Sequence, residues 1–105
     1  MRAIVRREYG TADVLHLGEI DRPVIGPGEV LVEVRAAGLD RGAWHFMAGL
    51  PYALRLAGGG LRAPKSPVLG GDVAGVVVAV GHAVTRFRAG DEVFGIGKGS
   101  FAELV

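Results

Sequence analysis

A chain of 105 residues has the length of one domain, with material for a single hydrophobic core and none for a second. Half of it is hydrophobic and 22% charged, which sets it among globular proteins; a net charge of +1, with its arginines scattered, offers nothing for nucleic acid or a membrane surface to recognise. The absence of cysteine excludes disulfides and thiolate metal sites and fits a reducing, cytoplasmic setting.

In chain order, MRAIVRREYG alternates apolar residues with arginine and lacks the apolar core of a signal peptide, so it reads as a strand that Tyr9-Gly10 ends. Val14 to Glu19 is a second, shorter strand. Arg22 to Gly28 carries two prolines and two glycines and is a turn. In Glu29 to Leu39, Val30, Val32 and Val34 fall on one face and Glu33 and Arg35 on the other, the pattern of a half-buried strand. Asp40 then precedes RGAWHFMAG, where an acid caps the free amides of a short helix and Gly49 closes it. Leu50 to Ser66 has no regular period and reads as a long loop.

Val73 to Val80 is apolar at every position except Gly75, so neither face is expected to stand in water. Gly70, Gly71 and Gly75 permit positive φ or close backbone approach where this strand begins. Gly90-Asp91 is a turn. Val93 to Ile96 and Phe101 to Val105 read as short strands joined by a hairpin through Gly97-Lys98-Gly99. Eighteen glycines, well above the usual ~7%, suit a fold of short strands and many turns.

Chemistry is sparsely marked. His16, His45 and His82 are far apart in sequence, and none stands in a metal-binding frame. Gly58 to Ala63 spells G-x-G-x-x-A, but no strand precedes it and Pro64 cuts off the helix a pyrophosphate would need, so it reads as loop. Asp40, His45, Tyr52 and Asp72 are the residues able to do acid-base work. Each has a plain alternative: Asp40 as helix cap, His45 as exposed helix residue, Tyr52 as loop packing, Asp72 as partner of an arginine or of backbone amides. Trp44 serves equally as a pocket wall or as core.

Residues 67–95, PVLGGDVAGVVVAVGHAVTRFRAGDEVFG, resemble the P-x-x-L-G-x-D/E-x-x-G-x-V-x-x-V-G-x-x-V-x-x-F-x-x-G-D-x-V signature of medium-chain dehydrogenase/reductases. Gly28 to Val32, Ala36 to Leu39 and Gly99 to Glu103 resemble that family's P-G-E-V-L-V, A-x-G-L/I and G-x-[FY]-A-E segments. The resemblance spans nearly the whole chain. It implies a mainly β fold, a GroES-like partly open β-barrel with one short helix and a long loop, forming the substrate or catalytic domain over residues 1–105.

Zinc-dependent members place a cysteine ligand and a G-H-E histidine where this chain has Asp40 and Gly71. The closer resemblance is therefore to the zinc-free, quinone oxidoreductase-like branch, and it implies no metal site. Arg41 falls where some members put an arginine that meets the cofactor pyrophosphate, and His45 where they put a proton-relay histidine. On this resemblance Asp40 and His45 are the catalytic candidates. Trp44, Tyr52 and Asp72 are the candidates for the substrate pocket, with Arg41 the expected partner of Asp72. The implied cofactor is NADP(H), held mainly by a Rossmann domain that this chain lacks, supplied in cis or by a partner chain.

The expected substrates are small carbonyls, quinones or alcohols, and the chain alone is expected to be inactive. The alternative is a non-catalytic GroES-like barrel that serves as a protein-interaction module. Strand edges left unpaired in either case favour association of copies.

Overall fold

The computed structural model describes residues 1–53, 55–56, 60 and 62–105. Its elements are β1 (Arg2–Val5), a 3-10 turn (Ala12–Val14), β2 (His16–Glu19), β3 (Val30–Ala37), α1 (Arg41–Ala48), β4 (Asp72–Val80) and β5 (Glu92–Ile96). The second expected strand starts late: Val14 and Leu15 donate to Thr11 and Ala12 and close the 3-10 turn, so extension begins at His16. β1 pairs antiparallel with β2, and β3, β4 and β5 form a second antiparallel sheet in that order.

The hairpin expected between Val93–Ile96 and Phe101–Val105 does not form. Gly97 donates to Gly71 (2.8 Å) and Gly99 to Gly70 (3.0 Å), so the chain after β5 continues along the residues that precede β4. The last five residues then lie between the two sheets. Ile4 donates to Phe101 (2.9 Å) and Glu103 to Arg2 (3.2 Å) on one side, while Val32 and Val105 exchange bonds of 2.8 and 3.0 Å on the other. The turn glycines thus serve a crossing from one sheet to the other, and the two sheets become a mainly β, partly open architecture.

The core is small: Ala3, Leu31, Val32, Val68, Leu69 and Val77 are buried. Leu31 and Val32 are consecutive yet both lie inside, because the β3–β4 register shifts between them, setting Leu31 opposite Ala79 and Val32 opposite Val77. Strict alternation, which put Val30 with Val32 and Val34, fails at that irregularity.

The expectation that β4 is covered on both faces is also corrected. Val78 is partly exposed, and on β5 Phe94 is 91% and Ile96 88% exposed. Phe94 pairs with Ala74, Ile96 with Asp72 and Ala36 with Ala74, so these side chains share the outer face of the sheet. On that face Phe94, Ile96 and Val78 are left open to solvent. Among the described residues, no helix is long and apolar enough to cross a membrane.

Candidate functional site

Three segments meet at one end of the second sheet: the start of α1, the start of β4 and residues 96–99. Between them is a cleft of about 510 Å³, bordered by Asp40, Gly42 and Phe46 from the helix side, Asp72 from β4, Lys98 from the crossing, and Arg6 just after β1.

The helix is placed by its caps. Asp40 has extended backbone, and its Oδ1 accepts from the Ala43 amide at 2.8 Å. Gly49 closes the other end with φ 69° and donates to the His45 carbonyl at 2.8 Å. The cap holds one oxygen of Asp40 at the helix end of the cleft. Gly70 holds the floor at φ 104°, and its carbonyl accepts from Gly99 and Ser100. A Cβ there would collide with the Ser100 hydroxyl and with the Phe101 ring at 2.7 Å. Of the two glycines before β4 it is Gly70 that this position requires, since a Cβ on Gly71 would meet only Ile96 at 3.9 Å.

Arg6 was not singled out by the sequence pattern, because strand alternation cannot say which arginine is covered. Its residue is 3% exposed. Its amide donates to Pro67 (2.8 Å), its Nη1 donates to the Phe46 carbonyl, and its guanidinium lies 5.4 Å from the Tyr9 ring centroid. Among the described residues Nε has no partner. Burial pulls the guanidinium below its ordinary value, an effect Tyr9 opposes.

Of the candidates named from sequence, the structure brings Asp40 and Asp72 to the same cleft. Asp72 is exposed, with its side chain close to the Cα of Gly38, and the expected pairing with Arg41 is not formed. Arg41 is exposed as the first residue of α1 and does not border the cleft. Trp44, 51% exposed, sits on another side of the helix with its ring edge-on to His45 at 5.1 Å. His45 Nδ1 lies 2.7 Å from the Leu50 carbonyl, which can only accept, so Nδ1 carries the proton and Nε2 is the nitrogen left for other partners. Tyr52 is exposed, with the Arg55 guanidinium 4.8 Å from its ring centroid and Tyr9 on a further contact of that cation at 4.4 Å. The G-x-G-x-x-A reading rests on Gly58, Gly59 and Leu61, which lie outside the described residues.

Among the described residues no three of His, Asp and Glu converge. At the turn between β3 and α1, Asp40 occupies the helix N-terminus with a carboxylate, where a pyrophosphate would need free amides and no negative charge. What the cleft offers is a place for a small polar molecule, with cations at Arg6 and Lys98, acids at Asp40 and Asp72, and an apolar wall at Phe46 and Ile96.

The alcohol dehydrogenase GroES-like domain family matches residues 26–105, and the chain belongs to that family, in the quinone oxidoreductase-like branch of the medium-chain dehydrogenase/reductases. It is 38% identical over 93 residues to an L-threonine 3-dehydrogenase of Symbiobacterium thermophilum, covering 89% of this chain and 24% of that protein. It is 41% identical over 98 residues to a chloroplastic NADPH-dependent alkenal/one oxidoreductase of Arabidopsis thaliana, covering 90% and 23%. The structure of the quinone oxidoreductase from Coxiella burnetii superposes with a TM-score of 0.85 at 28% identity, over all of this chain and 33% of the other. The chain thus spans between about a quarter and a third of the length of these relatives.

Proposed function

We propose that this chain is the acceptor-binding part of a zinc-independent, NAD(P)H-dependent oxidoreductase acting on quinones, enones or related carbonyl and alcohol substrates. The observation that carries the reading is the cleft itself: Asp40, Asp72, Phe46 and the Gly70 floor converge on one open space, formed by the segments that carry the family signature. The activities of the relatives, an alkenal/one oxidoreductase, a quinone oxidoreductase and an L-threonine 3-dehydrogenase, support the reaction class.

The nicotinamide supplies the hydride chemistry when bound, and on this reading the dinucleotide is held mainly by a Rossmann domain outside these residues, in cis or on a partner chain. The residues of this chain do the rest. Phe46 and Ile96 give an apolar wall for a planar acceptor, and Asp40 and Asp72 accept hydrogen bonds from its hydroxyl or enol form. Positioning of this kind raises rate by holding the acceptor where the hydride arrives. Arg41, at the exposed end of α1, is available to a pyrophosphate brought from outside, and the free Nε2 of His45 to a proton path. Trp44 and Tyr52 would act from the rim, against the longer substituents of a substrate. The reading assigns the protein to the cytoplasm.

The zinc-free part of the proposal rests on the donor set. Asp40 is committed through Oδ1 to the helix cap, and Gly71 contributes no side chain. Isothermal titration of NADPH into the 105-residue chain is the direct test, with no saturable binding expected and a saturable isotherm overturning the division of labour. In the protein that joins this chain to its dinucleotide domain, Trp44→Ala combined with Tyr52→Phe should lower quinone or enone reduction by more than about twofold. A smaller loss removes those two residues from the pocket.

A second reading, a barrel whose role is to contact another protein, is favoured by the exposed Phe94 and Ile96 on the sheet's outer face. NADPH-dependent turnover by the joined protein decides for the enzyme.

A further inference from the structure

We infer that the cleft is built for an acceptor carrying a carboxylate or an equivalent anionic oxygen, and that Arg6 is the residue that selects it. The inference deepens the proposed function and rests on the cleft being the acceptor site.

Arg6 is the buried arginine among the described residues, 3% exposed, on the border of the cleft. Its position is fixed from two directions: the backbone amide is bonded to Pro67 and Nη1 to the carbonyl of Phe46, in the last turn of α1. A guanidinium has five N–H donors, and among the described residues Nε finds no acceptor. The ion pairs among the described residues are Met1–Glu19, Arg2–Glu103 and Arg35–Glu33, so no carboxylate of the described chain answers this cation.

Leaving a buried charge unpaired costs several kcal/mol in general. One carbonyl and the face of Tyr9 offset only part of that, so an anion entering the cleft would complete the set. An arginine does this in a way a lysine does not, because its planar fork meets two oxygens at once.

The acids of the cleft do not cancel this preference. Asp40 is turned to the helix amides, and both Asp40 and Asp72 are exposed, where water and salt screen them. Lys98, exposed at the border, adds a second positive charge. Buried positive charge against screened negative charge gives the cleft a polarity that draws the anionic end of a molecule inward.

The test is binding rather than turnover, so that it stands or falls separately from the hydride-transfer reading. Crotonate and crotonamide have nearly the same shape and differ in charge. Titrated into the ¹⁵N-labelled 105-residue chain, crotonate should shift the amides of Gly70, Gly71, Gly97 and Gly99 saturably and bind at least about tenfold tighter than crotonamide. Arg6→Met should abolish that preference and Arg6→Lys should keep part of it. Since Arg6→Met also removes the bond to Phe46 and can unfold the chain, the wild-type comparison and the Arg6→Lys variant decide on their own. Equal affinity for the two probes, no saturable shift with crotonate up to about 50 mM, well past millimolar affinity, or full preference retained in a folded Arg6→Met variant each overturns the inference.

Discussion

Arg2 holds Glu103 twice, through its backbone amide at 2.9 Å and its Nε at 3.0 Å, and so fastens β1 to the last five residues. Those residues are what join the two sheets. The bonds donated by the Arg2 amide and side chain hold the Glu103 carboxyl below the usual carboxylate range. A carboxyl with a lowered folded value releases its proton more readily folded than unfolded. The stability it contributes is present above the ordinary glutamate value near ~4.3 and is lost as pH falls through the folded value. Urea midpoints of wild type and Glu103→Gln should therefore differ at pH 7 and converge in acid. A difference that persists below the folded value, where both forms are neutral, assigns the effect to packing instead.

Gly70 carries the floor of the cleft in a conformation with φ 104°, and its missing Cβ is the space filled by Ser100 and Phe101. Gly70→Ala meets both obstacles, backbone strain and collision. It should destabilise the chain by more than about 1 kcal/mol, beyond what an unstrained Gly→Ala change does. Gly71→Ala serves as the control, because a Cβ there meets only Ile96 at an ordinary 3.9 Å. Equal urea midpoints for the two variants would contradict the strained floor.

Much of this fold could be read from local chemistry. The Asp40 cap, the Gly49 stop, the Gly90-Asp91 turn and the long apolar strand are each written in a few adjacent residues, and the structure has them where the sequence implied. What could not be read was decided by contacts between distant residues. The register shift that buries both Leu31 and Val32 depends on β4, and the tail crosses to β1 and β3 because Gly97 and Gly99 bond to Gly71 and Gly70. The site divides in the same way. Asp40 and Asp72 mark strand and helix ends, and strand and helix ends are visible in sequence. Arg6 looks like any other strand arginine until Pro67, Phe46 and Tyr9 close around it.

Asp40 carries two assignments, a structural one that the hydrogen bond to Ala43 shows and a chemical one that is proposed. They separate by substitution. Asp40→Ala should cost about 1 kcal/mol of stability through loss of the cap, whereas Asp40→Asn keeps a capping oxygen and should cost a few tenths. If Asp40 also touches the acceptor, Asp40→Asn in the joined enzyme should lose turnover out of proportion to its small change in urea midpoint. Parallel losses in both measurements leave Asp40 as a cap alone.

The edge of β5, unpaired among the described residues, should make copies of this chain associate. Val77 donates to Asp91 and Gly97 to Gly71, which fixes the odd-numbered residues of β5 toward β4 and leaves the N–H and C=O groups of Glu92, Phe94 and Ile96 pointing to the open side. A two-fold axis through Gly95 would pair those groups antiparallel, setting Phe94 against Ile96 of the partner subunit and Glu92 against Lys98 of the partner subunit. Apolar side chains then meet in the middle and opposite charges at the ends. Lateral contact between Phe94 and Ile96, now 91% and 88% exposed, removes part of their apolar surface from water and supplies the drive. Light scattering should show dimer at about 1 mM, a concentration at which even weak edge pairing fills. Lys98→Glu sets like charges opposite each other and should return the chain to monomer, and adding Glu92→Lys should restore the dimer. A wild-type monomer at that concentration, or a charge swap that fails to restore association, shows that the β5 edge is not a self-pairing surface.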